Sequence, residues 1–144
     1  MPRRPRSNLP AYGVFHVTAR GVARAPIALD DADRLAWMRL RAEVDDRFGW
    51  ITYAFCLMGN HYHLVVEAAL DRLSRGLHRL NGVYAQRFNA RHDRVGHVFQ
   101  ARFDARSIES DDYAEAACAY VLANPVRAGC CRRPGDWPWN GPRP

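Results

Sequence analysis

The sequence contains no lysine: all 21 basic residues are arginines, and 15 acidic residues leave a formal net charge of +6. Complete replacement of lysine by arginine is typical of a GC-rich genome. The planar guanidinium group, however, also binds phosphate through two parallel hydrogen bonds. A surplus of such groups therefore favours a polyanionic partner such as nucleic acid.

The sequence also lacks long apolar runs and cysteine motifs. No run approaches the roughly 18 apolar residues of a membrane span, and the Arg- and Pro-rich residues 1–11 are not followed by the apolar segment of a secretory signal. The four cysteines form no C-x-x-C pair, which excludes a zinc knuckle or a thioredoxin-type motif. We therefore expect a cytoplasmic protein with reduced thiols and no membrane contact.

The composition that remains is typical of one globular domain, and its charge is distributed in blocks. Of the 144 residues, 48% are apolar and 25% are charged. Residues 1–29 hold five arginines and no acid, residues 71–106 hold eight arginines and three aspartates, and residues 107–115 hold four acidic residues. Such blocks of positive charge strengthen the prediction of a nucleic-acid partner.

Hydrophobic periodicity predicts seven elements in the order β-α-β-β-α-β-α. Strands are predicted at 13–20, 50–57, 61–67 and 98–108, and helices at 31–47, 71–89 and 112–123. Gly59-Asn60 is a two-residue hairpin signal, and Asn124-Pro125 is expected to end the last helix. The first six elements match the ferredoxin-like unit. We therefore predict one α+β domain over residues 1–144, an antiparallel sheet with helices on one or both faces, with a basic arm at 1–11 and an irregular tail at 132–144.

His61 and His63 flank one residue on a predicted strand. Because side chains alternate along a strand, both imidazoles face the same way, about 7 Å apart along the backbone. They can converge on one divalent cation. The alternative is a pair of exposed or core histidines on a sheet. His16, on the first strand, either faces the same side of the sheet or is an ordinary strand histidine.

The last predicted helix carries a stripe of polar and small residues on one face. The stripe consists of Tyr113, Ala116, Ala117, Tyr120 and Asn124. A tyrosine near a metal can act as a nucleophile, although such a stripe also suits a helix lying shallowly on a sheet with its hydroxyl groups in water. Helical spacing alone does not distinguish Tyr113 from Tyr120.

The segment Leu57-Met58-Gly59-Asn60-His61-Tyr62-His63-Leu64 resembles the Met-x-Asn-His-x-His-Leu motif of HUH single-tyrosine transposases. More specifically, it resembles the REP-associated tyrosine transposases of bacteria, part of the IS200-like group. Further segments match this family in the same order: residues 15–21, 33–34, 84–89, 96–103 and 120–129. The sequence departs from the family pattern at Gly59, where many relatives have proline, and in its short tail after Trp139.

The resemblance implies a set of roles for the matching residues. His61 and His63 would be ligands of Mg²⁺ or Mn²⁺, and no small-molecule cofactor is expected. Tyr120, four residues before Asn124-Pro125, would be the nucleophile that leaves a 5′-phosphotyrosine and a free 3′-hydroxyl. We expect Asn124 to be the third metal ligand, because hard divalent cations favour oxygen donors; alternatively, Asn124 only caps the helix.

The substrate implied by the resemblance is single-stranded or hairpin, REP-like DNA, for which phosphate-binding cations and aromatic side chains are needed. One candidate surface is the arginine face of the helix at 71–89. The alternative is that these arginines only form an ordinary solvent-exposed helix face. A second is the loop at 91–102, and a third is the first strand with the N-terminal arm. The predicted DNA-binding residues are Arg20, Arg75, Arg79, Arg87, Arg94, His97 and Arg102, together with Arg3, Arg4 and Arg6 of the arm.

Two other functions are compatible with the same fold. One is a non-catalytic nucleic-acid-binding module, which would have no use for an H-x-H pair beside a helix-borne tyrosine. The other is a minimal HUH replication-initiator or relaxase-type nickase, although such proteins usually carry further domains. We expect a cytoplasmic, nucleoid-associated protein that is a monomer or a homodimer.

Overall fold

The elements begin and end where local sequence signals place them. A computed structural model describes residues 8–100 and 103–142 of the chain. Its elements are β1 Tyr12–Arg20, α1 Asp31–Phe48, β2 Ile51–Leu57, β3 His61–Ala69, α2 Leu70–His92, β4 Asp104–Ile108, α3 Asp111–Leu122, α4 Asn124–Arg127 and β5 Asn140–Gly141.

Side-chain caps fix the N-terminal ends of two helices. The Asp30 carboxylate accepts a hydrogen bond from the backbone N–H of Asp33 (3.0 Å) at the start of α1. The Ser110 hydroxyl accepts one from the N–H of Tyr113 (3.2 Å) at the start of α3. Each cap gives a partner to a backbone donor that the helix itself leaves unpaired.

The sheet has the strand order β4-β1-β3-β2-β5, and every neighbouring pair is antiparallel. The first four strands in this order, with α1 and α2, make the ferredoxin-like arrangement, so the predicted α+β fold class is confirmed. The two-residue hairpin is also present: the N–H of Met58 donates to the carbonyl of His61 (2.8 Å) across Gly59-Asn60.

The two faces of the sheet are covered unequally. On one face, α1 and α2 enclose the main core, in which Phe15, Val17 and Leu64 of the sheet meet Trp37 and Leu77 of the helices. On the other face, α3 covers only part of the sheet through a small cluster of Ala54, Cys56, Val65 and Val121 with neighbouring residues. Strand alternation directs His61 and His63 to this second face, which remains partly open.

The structure corrects the predicted strand over residues 98–108. Instead of one strand over 98–108, Phe99 forms an isolated bridge with Gly21, and β4 begins only at Asp104. Residues 101–102, and with them the predicted DNA contact Arg102, lie outside the described residues, as do Arg3, Arg4 and Arg6. Of the predicted arm, residues 8–11 are described, and Leu9 packs against the main core.

Two predictions at the C-terminal end are also corrected. Asn124-Pro125 does end the longer helix, but α4 follows it as a further helical turn. Pro125 lies near the start of α4, where a backbone N–H would have no partner within that helix and its absence costs nothing there. The tail at 132–144 is not wholly irregular, because β5 pairs with Phe55 and Cys56 of β2. The N–H of Leu57 also donates to the carbonyl of Trp139 (2.8 Å).

In the described part of the chain, no helix combines the length and apolar character needed to cross a membrane.

Candidate active site

Two histidines stand at the start of β3, directly after the hairpin, on the face that α3 covers only partly. The ring centroids of His61 and His63 are 5.1 Å apart. His63 is 8% exposed, and His61 is partly buried. The predicted convergence of the two imidazoles is therefore present in the fold.

The hydrogen bonds of His61 define which ring nitrogen keeps a lone pair. Its Nδ1 lies 2.7 Å from Asn60 Oδ1, which can only accept, so Nδ1 carries the proton. The other nitrogen, Nε2, lies 3.2 Å from the side-chain amide of Asn124 at the start of α4. The structure thus brings Asn124, which sequence reasoning paired with the histidines, to the unprotonated nitrogen of His61.

His63 is supported by two side chains of the neighbouring strand β1. Its Nδ1 lies 3.0 Å from His16 Nε2 and 3.1 Å from Thr18 Oγ1. Both groups can accept from one Nδ1–H, an arrangement that leaves the lone pair of His63 Nε2 free to bind a ligand. His16 therefore lies on the same side of the sheet as His61 and His63, which is the first of the two alternatives that its sequence position left open.

Burial keeps these imidazoles uncharged. Burial, together with the positive charge of Arg20, lowers the pKa of His61 to about 4. Burial is also the main cause that lowers the pKa of His63 to about 3, with further contributions from His16, His61, Arg127 and Arg20. Both rings are neutral at pH 7, the state that can donate a lone pair to a metal.

The donor set fits a divalent cation. Among the described residues no three His, Cys, Asp or Glu side chains are grouped closely enough to hold a metal ion, but the amide of Asn124 lies near enough to His61 to offer a third donor beside the two histidines. A half-turn of the Asn124 amide exchanges its nitrogen and oxygen. Two imidazole nitrogens and one amide oxygen then form a mixed set that suits Mn²⁺ and, with water ligands, Mg²⁺.

The fold separates the two tyrosines that helical spacing could not. Tyr120 is 52% exposed, and its ring centroid lies 6.1 Å from that of His63 and 6.2 Å from that of His16. Tyr113, two turns earlier on α3, is 73% exposed. In residues 8–100 and 103–142 it makes no ring contact with the site histidines, so Tyr120 is the tyrosine at the site.

Three arginines surround this group of side chains. Arg20 ends β1 opposite His61, and Arg106 of β4 lies opposite His16. Arg127 of α4 stacks on Tyr120, with its guanidinium carbon 3.9 Å from the ring centroid. Sequence reasoning proposed Arg20 but not Arg106 or Arg127, although Arg127, seven residues after Tyr120, continues the helical spacing of the stripe.

Comparison with known proteins identifies the family. A model of the family "Transposase IS200 like" matches residues 13–124, which include both histidines, Tyr120 and Asn124. The chain belongs to the IS200-like transposase family. This confirms the resemblance that the sequence motifs indicated. No curated protein matches this transposase at significant similarity.

Two solved structures share the transposase fold. A REP-associated tyrosine transposase bound to a REP hairpin has a TM-score of 0.75 and 17% identity, and the match covers 97% of this chain and 82% of that one. A candidate transposase from Deinococcus radiodurans R1 has a TM-score of 0.54 and 14% identity, and covers 81% and 92% of the two chains. At these identities the likeness shows the fold alone.

The predicted DNA-binding residues of the transposase divide between two regions. Arg75, Arg79 and Arg87 lie on α2, which packs against the sheet face opposite to the histidines. Arg75 is paired with Asp71 (3.7 Å), and Arg79 is paired with Glu43. The structure therefore does not place these three arginines beside Tyr120.

Arg94 and His97 lie in the exposed loop between α2 and β4. This loop is fastened to the end of β1, because the N–H of Val22 donates to the carbonyl of Val98 and the N–H of Gln100 donates to the carbonyl of Arg20, each at 2.9 Å. Residues 98–100 of the loop therefore lie at the end of the sheet that carries His61, whereas the guanidinium of Arg94 lies over the ring of Phe88 on α2, 5.6 Å from its centroid.

Proposed function

We propose that this transposase cleaves and rejoins single-stranded, hairpin-bearing DNA through a covalent 5′-phosphotyrosine on Tyr120. The observation that carries the proposal is the meeting of three separate elements at one point. β3 supplies two neutral histidines, α4 brings Asn124 to His61, and α3 brings the ring of Tyr120 to that of His63. A module that only bound nucleic acid would not need this combination.

The proposed cleavage is a displacement at phosphorus. The phenolic oxygen of Tyr120 forms a bond to the scissile phosphorus, and the bond from phosphorus to the 3′ oxygen breaks. The phenol loses its proton to solvent, and the departing oxygen takes up a proton to become a 3′-hydroxyl. Attack by the 3′-hydroxyl of another strand end reverses these steps and joins the strands, so no ATP is consumed.

His61, His63 and Asn124 would hold a Mg²⁺ or Mn²⁺ ion. When bound, such an ion polarises a phosphoryl oxygen and offsets the negative charge that develops there. The contacts of Asn60 with His61, and of His16 and Thr18 with His63, can hold the two imidazoles in the tautomers that leave Nε2 unprotonated for the metal.

The charged surroundings support a DNA substrate. The guanidinium groups of Arg20 and Arg106 lie beside the histidines, where they can bind phosphate oxygens. Arg94 and His97, in the loop after α2, also stay predicted DNA contacts. Arg75, Arg79, Arg87 and Arg102 stay predicted DNA contacts. The structural relative with a TM-score of 0.75 was solved bound to a REP hairpin, which supports hairpin DNA as the partner.

One copy of the chain brings Tyr120 to its own histidines, so a monomer could carry out the reaction. We expect this reaction to take place on DNA in the cytoplasm, at the nucleoid.

The experiment uses labelled hairpin-bearing single-stranded DNA, Mn²⁺ and a denaturing gel. The wild-type protein should form a covalent protein–DNA adduct that is lost with EDTA, with Tyr120→Phe and with His61→Ala. Tyr113→Phe is the matched control on the same helix and should keep the adduct. Loss of the adduct in Tyr113→Phe but not in Tyr120→Phe would overturn the nucleophile, and binding without any adduct would favour the non-catalytic module.

A further inference from the structure

Arg127 makes two different contacts with Tyr120. Its guanidinium carbon lies over the ring, 3.9 Å from the centroid. One guanidinium nitrogen also donates a hydrogen bond to the backbone carbonyl of Tyr120 (2.9 Å). One side chain thus holds both the backbone and the aromatic ring of the residue proposed as nucleophile.

The break between α3 and α4 makes these contacts possible. α3 ends at Leu122, which leaves its last carbonyl groups without helical partners. Arg127 fills one of these vacant acceptors from the following turn, where a cation is also favoured by the helix dipole.

The same short turn supports two sides of the site. α4 begins with Asn124, whose amide lies 3.2 Å from His61 Nε2, and ends with Arg127 over Tyr120. The position of the tyrosine ring is therefore tied to the position of a metal-ligand candidate through four consecutive residues.

We infer that Arg127 is a positioning residue, which fixes the ring of Tyr120 in the orientation from which its hydroxyl attacks phosphorus. This inference rests on the proposed function. A half-exposed tyrosine on the outer side of a helix samples several rotamers unless a neighbour holds it. A planar guanidinium can lie flat on the ring and at the same time donate a hydrogen bond to the carbonyl of Tyr120. The ammonium group of lysine lacks this geometry.

Single-turnover cleavage tests the inference. Arg127→Ala should slow the formation of the Tyr120 adduct about tenfold to hundredfold, because small misplacement of a reacting group costs this much. The dissociation constant for the same hairpin should change less than about threefold, since one surface cation contributes little to it. Added ethylguanidinium should restore part of the rate. Arg132→Ala, which removes another exposed arginine of the C-terminal region, should cleave like the wild type.

A second measurement needs neither DNA nor metal. In protein labelled with 3-fluorotyrosine, the six tyrosines give separate ¹⁹F signals, and Tyr120→Phe identifies the one from Tyr120. Arg127→Ala should move this signal and leave the signal of Tyr113 in place. Arg127→Lys, which keeps the charge and most of the stem, should also move it, and provides a second variant if Arg127→Ala does not fold.

Three outcomes would overturn the inference: an unchanged Tyr120 signal, a cleavage rate within twofold of the wild type, or a loss of DNA affinity that accounts for the whole loss of rate. Failure of the wild-type protein to form an adduct would count against the proposed function instead. In that case the ¹⁹F signal would still decide whether Arg127 holds the ring.

Discussion

At the scale of single residues, the central feature of the site is a set of imidazoles whose ring nitrogens have defined roles. The side-chain oxygen of Asn60 accepts a hydrogen bond from Nδ1 of His61, and His16 and Thr18 both lie within hydrogen-bond distance of Nδ1 of His63. Each histidine can therefore present its other nitrogen without rearrangement. Partners of this kind commonly change the affinity of a metal site 10–100-fold.

Removal of the support from His16 should weaken metal binding. We expect His16→Ala to lower the affinity for Mn²⁺ about tenfold or more, because the His63 ring loses a partner that fixes its orientation and tautomer. Calorimetry or Mn²⁺ electron paramagnetic resonance on the DNA-free protein measures this. His16→Gln, which keeps an acceptor, should restore part of the affinity.

The control for this comparison is His97→Ala, which removes an exposed histidine outside the ligand group and should bind Mn²⁺ like the wild type. Equal Mn²⁺ affinity in His16→Ala and the wild type would show that His16 does not support the ligand.

The sequence was sufficient for some of these residues and not for others. Alternation along a strand directs His61 and His63 to one face, and the motif selects Tyr120 over Tyr113. The contact of His16 with His63 depends on the register between β1 and β3, in which His16 lies opposite Val65 and Thr18 opposite His63. Register between strands is a tertiary property that one strand's pattern does not contain.

At the scale of elements, α1 and α2 are joined at one end by a buried carboxylate. Asp33, in the first turn of α1, is 3% exposed. It accepts hydrogen bonds from the N–H of Leu29 (2.9 Å) and from Arg91 (2.9 Å), and His92 Nε2 lies 2.7 Å away. The end of α2 is thus fastened to the start of α1, which supports the loop that follows α2.

We expect Asp33→Ala to lower the free energy of unfolding by roughly 2 kcal/mol, because the N–H of Leu29 and the ring of His92 lose the buried acceptor that Asp33 provides. Urea denaturation followed by circular dichroism measures this loss. Asp31→Ala is the control in the same turn: its carboxylate is exposed and paired only with Arg34 among the described residues, so little change is expected. Similar losses in the two variants would contradict a special role for Asp33.

Elements with strong periodicity were predictable, and short ones were not. The apolar stripe of α2 and the capped start of α3 identify their helices from the sequence. α4 has only four residues and β5 only two, which is too few for a period to show. Both depend on contacts with distant parts of the chain, α4 with β3 and β5 with β2.

At the scale of the whole molecule, the arginines are divided between the two sides of the sheet. Arg20, Arg106 and Arg127 surround the histidines, whereas Arg75 and Arg79 lie on α2 behind the main core. Arg75, Arg79 and Arg106 each have an acidic partner. The arginine-rich block at residues 71–106 therefore does not form one continuous surface in the folded protein. The arginines beside the site come from β1, β4 and α4.

Variants on the two sides should differ in how salt affects hairpin binding. Arg20→Gln, at the end of β1 opposite His61, should weaken binding at every salt concentration and lower the slope of log K against log salt by about one. Arg75→Gln, on the opposite side, should change that slope less. Fluorescence anisotropy over a salt series measures both slopes. A larger effect of Arg75→Gln would place the DNA on α2.

The two-residue strand β5 also limits how copies of the molecule can join. It occupies the outer edge of β2, and Trp137 Nε1 donates to the carbonyl of Leu57 beside it (3.0 Å). A sheet edge with unpaired N–H and C=O groups is a template for strand addition by another chain. With the β2 edge shielded at Phe55–Leu57, a second copy cannot continue the sheet by pairing with that stretch of β2.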